Sequence, residues 1–237
     1  MSDAPLVVIG DALLDRDVEG VVERLSPDAP VPVLDERRAR ARPGGAALAA
    51  ALAAAEGRPV TLVTALAGDD AGIELAMLIA AAGVELVDLG LDGTTPEKIR
   101  LRTAAGQPLL RLDRGRGTGV GRASAAARAA IGWVSALLVA DYGGGVAAEP
   151  GIRAALAERA AERVPIAWDP HPRGAAPLPG VALATPNERE AAAFAPEVEG
   201  EGLPATAARA ASLRRRWRAE HVCVTRGRLG ALLDGGD

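Results

Sequence analysis

Arg42-Pro43-Gly44-Gly45-Ala46-Ala47-Leu48-Ala49-Ala50-Ala51-Leu52 is the stretch that decides the fold. A proline and two glycines run into an alanine-rich segment that favours helix as far as Ala55. A glycine pair flush against a helix start lets a ligand approach backbone amides closely. A plain turn before a helix would use the same residues. Upstream, Leu6-Val7-Val8-Ile9 reads as a short buried strand ending at Gly10, with Asp11, Asp15 and Arg16 beyond it. Two carboxylates four residues apart offer acceptors for a polyhydroxylated ligand. Their plainer reading is a loop with a self-satisfying Asp–Arg pair.

Downstream of Gly57-Arg58-Pro59, strands and helices alternate. Apolar runs at 60–65, 84–89, 136–140, 166–169, 181–185 and 222–225 predict strands. Helical segments fall between them, over 125–130, 152–163 and 206–218, and one that Asp69 or Asp70 caps ends before Gly83. This spacing implies an α/β fold with a doubly wound, mostly parallel sheet. Pro27, Pro30 and Pro32 interrupt the early chain, and 31–34 reads as an extended piece outside the centre of any sheet. Segments 98–102 and 109–113 alternate like a hairpin around Ala105-Gly106. Together these pieces would form a small accessory sheet over the carboxyl edge, where such folds bind ligands. At the end, 228–233 begins another strand and Asp234-Gly235-Gly236-Asp237 reads as the turn after it. A sheet that stops in a turn leaves its next strand unpaired, so these residues are expected to be part of a longer domain.

Composition narrows the partners. With 27 basic and 31 acidic residues the net charge is −4, which gives no general attraction to nucleic acid. Only one basic residue, Lys98, is a lysine. The single cysteine, Cys223, excludes an intrachain disulfide and a cysteine metal cluster, and its strand-like setting reads as a buried structural thiol. No signal peptide precedes the first strand and no apolar run is long enough to span a membrane, so a cytoplasmic protein free of membrane is expected.

Polar residues recur at strand ends: Asp141-Tyr142-Gly143-Gly144-Gly145, Asp169-Pro170-His171, Thr185-Pro186-Asn187-Glu188 with Glu190, and Thr225-Arg226-Gly227. Asn187 and Glu190 could reach a hydrated magnesium ion through oxygen, or could cap a helix, or both. Thr225, Arg226 and Gly227 combine a hydroxyl, a cationic fork and a flexible backbone suited to a nucleotide phosphate. No GxxxxGK[ST] occurs, and no three-glycine fingerprint follows Ile9. That argues against a P-loop site and a nicotinamide dehydrogenase.

Taken in order, GDALLDRDVEG, RLSPDAPVPVL, RPGGAALAA, KIRLR with GQPLLRLD, VADYGGG, DPHP, ATPNEREAAAF and VTRGRLGALL resemble the ribokinase-like (PfkB) carbohydrate kinases. LSPDAPVPV points to the heptose 7-phosphate kinase branch. The resemblance implies an ATP- and Mg²⁺-dependent sugar-phosphate kinase fold over residues 1–237. Lid segments would fall at about 16–42 and 96–114, and homodimers would form through the lid. It makes Asp11 and Asp15 ligands of sugar hydroxyls, and has Gly44 and Gly45 shape the sugar pocket. Lys98, Arg100 and Arg111 become contacts to the phosphorylated sugar. Asn187 and Glu190 would stand near magnesium and phosphates, with Thr225 and Gly227 opening the nucleotide site.

Three departures stand out: Leu48 where the family carries Asn, Gly144 where DYGKG carries Lys, and His171 where DPK carries Lys. No segment matches the family's GAGD, the source of its catalytic aspartate and anion hole, so this 237-residue form is expected to be inactive as a kinase. A degenerate kinase-like binding or scaffold module is the alternative.

Overall fold

The computed structural model describes residues 5–236. From the amino end run β1 (Leu6–Gly10), β2 (Ala12–Leu25), β3 (Pro32–Gly45), α1 (Ala46–Ala55), β4 (Val60–Thr64), α2 (Asp70–Ala81) and β5 (Glu85–Asp88). Next come β6 (Leu91–Gly93), β7 (Glu97–Thr103), β8 (Pro108–Arg114), β9 (Gly117–Val120), α3 (Ala125–Trp133) and β10 (Leu137–Ala140). The chain then forms α4 (Pro150–Ala161), β11 (Ile166–Asp169), β12 (Leu183–Ala184), α5 (Glu188–Phe194), α6 (Gly202–Trp217), β13 (His221–Thr225) and β14 (Ala231–Asp234).

The main sheet has the order β14-β13-β12-β11-β10-β1-β4-β5, and every pairing is parallel except β13–β14. Its topology follows from apolar strands joined by helices that must cover both faces. Along β1, Val7 and Ile9 join a core with α3, α4 and α6. Leu6 and Val8 face α1 and α2 instead. Strands β4 and β5 extend the sheet to one side of β1, and β10 to β13 extend it to the other. The order therefore reverses between β1 and β10. In open α/β sheets that switch point opens the ligand crevice at the carboxyl edge.

A second, four-stranded sheet, β3-β2-β7-β8, forms the lid. It pairs β2 with β3 antiparallel and β2 with β7 parallel. The short strands β6 and β9 make a separate ribbon.

Several expectations change. The extended piece at 31–34 is the start of a 14-residue strand that runs unbroken to Gly45, and its equal partner β2 carries Asp15. Polar and charged residues along 12–45 hide the two-residue period, because both strands are largely lid surface and not core. The self-satisfying Asp–Arg pair is not formed. Neighbours on a strand point to opposite faces, so Arg16 turns from Asp15 toward Glu74 of α2 and Glu97 of β7, at 2.7 and 3.2 Å. The last strand spans Ala231–Asp234, and the residues from Gly227 to Leu229 form a 3₁₀ turn. The proposed closing turn ends at Asp237, which lies outside the described residues.

Candidate active site

The glycine pair occupies the junction of lid and core. Gly44 and Gly45 end β3 opposite Leu13 and Ala12, and Gly45 is also the N-cap of α1. Each glycine makes room for an aspartate. A Cβ on Gly44 would lie 2.4 Å from Leu13 Cδ1 and 3.0 Å from Asp15 Oδ2, and one on Gly45 would lie 2.4 Å from the Asp11 carbonyl oxygen. Gly45 also has φ +60°, a conformation that side chains disfavour. The amide of Ala46 then donates to the Asp11 carbonyl at 3.0 Å. The diglycine is thus more than a turn: its missing side chains let both aspartates stand beside the start of the helix.

Asp11 sits just past β1, at the switch point. Its Oδ2 accepts the amides of Tyr142 at 2.9 Å and Gly144 at 2.8 Å, and its Oδ1 accepts Val146 at 3.0 Å. The carboxylate expected to meet a sugar hydroxyl therefore also pins the glycine loop after β10. Asp15 is buried, with Arg100 Nη1 donating to its Oδ1 at 2.7 Å. Lys98 and Arg100 lie on β7 beside β2, and Arg111 lies opposite Arg100 on β8. The Arg111 fork is held by Asp113 through two hydrogen bonds of 2.7 Å.

Asp141 directly follows β10 and was the residue that sequence reasoning left without a role. It is buried, with Oδ1 accepting Gly143 N at 2.7 Å and Oδ2 accepting Ala175 N at 2.9 Å. Burial, and then the nearby Asp11, push its carboxyl up to about 6, against the pull of the Gly143 amide. A Cβ on Gly174 would fall 2.0 Å from Asp141 Oδ2, so glycine there is what admits the carboxylate. The only signal in the sequence was its place directly after an apolar strand.

Asp169 ends β11 and accepts the Thr185 hydroxyl at 3.2 Å. Burial first, and Glu190 second, raise it to about 6. Asn187 and Glu190 form a reciprocal capping box at the start of α5. Asn187 Oδ1 accepts Glu190 N at 3.0 Å, and Glu190 Oε2 accepts Asn187 N at 2.9 Å. The helix-cap reading of these residues therefore holds in the geometry. They line a groove of about 440 Å³ together with His171, Arg173 and Arg189. Thr225 pairs with Asn187 through an isolated parallel bridge, and Gly227 follows with φ +55° and open space where a Cβ would be.

The structure thus brings Asp11, Asp15, Gly44, Gly45, Lys98 and Arg100 to one end of the carboxyl edge. Asn187, Glu190, Thr225 and Gly227 gather farther along it, beyond β11.

The three departures have physical settings. Leu48 is 37% exposed on α1 and offers no hydrogen bond. Gly144 packs on Asp11 so closely that a Cβ would lie 2.8 Å from Asp11 Cγ. The titration of His171 is lowered by burial and then by Arg173, and its Nδ1 accepts Arg173 N at 3.2 Å.

The model of the pfkB family of carbohydrate kinases matches residues 3–237. The chain belongs to this family. Among curated relatives, the bifunctional protein HldE of Streptomyces coelicolor is 52% identical over 98% of this chain, and that of Azorhizobium caulinodans is 39% identical over 97%. The pfkB-family chain spans about half the length of these relatives, 49% in both cases. Among solved structures, phosphofructokinase-2 from Escherichia coli superposes with a TM-score of 0.70 at 16% identity, covering 99% of this chain and 77% of that one. Ribokinase from Thermotoga maritima gives 0.63 at 18% identity, covering 99% of this chain and 75% of that one. These two likenesses establish the ribokinase-like fold of the pfkB chain. No helix among the described residues is long and apolar enough to cross a membrane.

Proposed function

We propose that this chain supplies the kinase part of a heptose 7-phosphate 1-kinase, acting in ADP-heptose synthesis within a longer protein. The observation that carries the reading is the joint placement of Asp11, Asp15 and Gly44-Gly45 at the switch point. The 52% identity to a bifunctional HldE protein and the LSPDAPVPV segment support the heptose branch.

In this reading Asp15 and Asp11 accept sugar hydroxyls, and the diglycine shapes the pocket wall. Lys98, with Arg100 and Arg111 behind it, faces the sugar's phosphate. Asn187, Thr225 and Gly227 receive ATP. Among the described residues no group of three or more His, Cys, Asp or Glu forms a metal cage. The available donors are two hard carboxylates, Glu190 and Asp169, which suit a magnesium ion that arrives on phosphates and keeps its waters. Bound magnesium supplies charge neutralisation to the transferring phosphoryl group. The lid of β2, β3, β7 and β8 excludes water, and homodimers would form through it.

Titration calorimetry with heptose 7-phosphate, against heptose and fructose 6-phosphate, tests the substrate class. Saturable binding of heptose 7-phosphate alone is expected; equal binding of all three sugars contradicts it. A coupled assay on the 237-residue chain is expected to show no sugar-dependent ADP release, for want of a GAGD segment.

A further inference from the structure

The chain contains one lysine and one tyrosine, and the two side chains meet. Lys98 Nζ stands 5.4 Å from the centre of the Tyr142 ring. Lys98 belongs to the lid and Tyr142 to the loop after β10, so the contact spans the mouth of the site from lid to core.

Two arginines of the lid act on Lys98, and both are committed. Arg100 is bound to Asp15 at 2.7 Å and Arg111 to Asp113 at 2.7 Å. Among the described residues Lys98 has no carboxylate within ion-pair distance; the ring is its partner. Asp15 and Asp113 favour its ammonium from a distance, while Arg111 and Arg100 oppose it. Asp169, Glu190 and Asp15 surround Tyr142 with negative charge. An ammonium that burial strips of water costs free energy unless something replaces that water, and an aromatic face does so in part. A compact ammonium on a flexible stem can then leave the ring for an incoming anion more readily than a paired guanidinium can leave its carboxylate.

We infer that Tyr142 is a positioning residue for Lys98: its ring holds this ammonium, which has no carboxylate partner, over the sugar side, ready for the phosphate of a sugar phosphate. This rests on the sugar-phosphate reading of the site. It also separates the three cations: Lys98 meets the ligand's phosphate, and Arg100 and Arg111 organise the carboxylates around it.

A double-mutant cycle on sugar-phosphate binding tests this. Tyr142→Leu is expected to weaken heptose 7-phosphate about 3- to 10-fold, and Tyr142→Phe, which keeps the ring face, to bind as the native chain does. In a Lys98→Met background, Tyr142→Leu should cost nothing further. Additive losses would overturn the inference, because Tyr142 would then act on the ligand directly. A second arm needs no ligand. The ε-methylene protons of the single lysine should be shifted upfield by the ring in the native and Tyr142→Phe chains, and return to ordinary values in Tyr142→Leu. An ordinary shift in the native chain overturns the inference. A native chain that shows the ring shift but binds no sugar phosphate overturns the reading of the site, and leaves Tyr142 as the holder of Lys98 alone.

Discussion

Asp11 Oδ2 accepts the amide of Gly144 at 2.8 Å, which joins the end of β1 to the loop after the neighbouring strand β10. With the amides of Tyr142 and Val146, one carboxylate organises a loop that has glycine at three consecutive positions. Asp11→Ala leaves these amides to water and is expected to cost about 2–4 kcal/mol of stability. Asp11→Asn keeps part of the set and should cost less. Urea unfolding of the two variants checks the order.

The same contact makes the glycine at 144 a requirement of this geometry. Gly144→Ala places a methyl group against Asp11 Cγ, a short and pinned side chain. It is expected to destabilise by about 1–2 kcal/mol. Gly144→Lys, which restores the family residue, should be no more stable than Gly144→Ala. A lysine variant more stable than the native chain would show that the loop tolerates a side chain there.

Asp141 and Asp169 give the protein an unusual pH response. Both carboxyls are raised from 3.8 to about 6, chiefly by burial, so the folded protein holds these protons more tightly than the unfolded chain. Their contribution to stability is complete below pH 3.8, declines as pH rises through about 6, and is gone above it. Carboxylates lowered by arginine partners, such as Asp113 beside Arg111, act in the opposite sense at lower pH. Unfolding midpoints measured from pH 4.5 to 7.5 isolate the effect. The native chain should lose stability relative to Asp141→Asn across that range, and a constant difference would remove the titration from Asp141.

Arg16 ties the lid to the core. It reaches Glu74 of α2 and the buried Glu97 of β7, and Glu97 is shared with Arg114 at 2.6 Å. Burial alone would raise Glu97, but Arg114 and Arg16 together hold it below the usual range. Arg16→Met leaves a buried carboxylate half-paired, so a loss of about 2–3 kcal/mol is expected. Proteolysis should then reach the lid strands first.

Much of this was legible in the sequence, and what was not has a physical reason. The parallel core was readable because Leu6–Ile9, 136–140 and 166–168 are apolar throughout and largely buried. The lid strand Ala12–Leu25 was not, because Asp15, Arg16, Asp17 and Glu19 alternate as charge against charge. The diglycine stood out locally, but its dependence on Asp11 and Asp15 is a matter of contact across strands. Asp141 and Tyr142 were visible only as residues after a strand, since Ala175 and Lys98, which they meet, lie more than thirty residues away in sequence.

Glu190 separates the cap from the proposed metal role. Glu190→Gln preserves an acceptor for the Asn187 amide and should change stability by less than about 0.5 kcal/mol, whereas Asn187→Ala should cost about 1 kcal/mol. If Glu190 serves magnesium, Glu190→Gln should weaken Mg²⁺-dependent ATP binding at least about 10-fold while leaving the fold intact. Unchanged nucleotide affinity would leave the capping box as its whole role.

The account's centre is that Asp15, beside Gly44, forms the sugar side of the site. Calorimetric titration of heptose 7-phosphate into the native chain and Asp15→Asn measures this directly. The account predicts saturable binding to the native chain and affinity at least about 10-fold weaker in Asp15→Asn, with cooperative unfolding retained. Equal affinity in the two chains would contradict it.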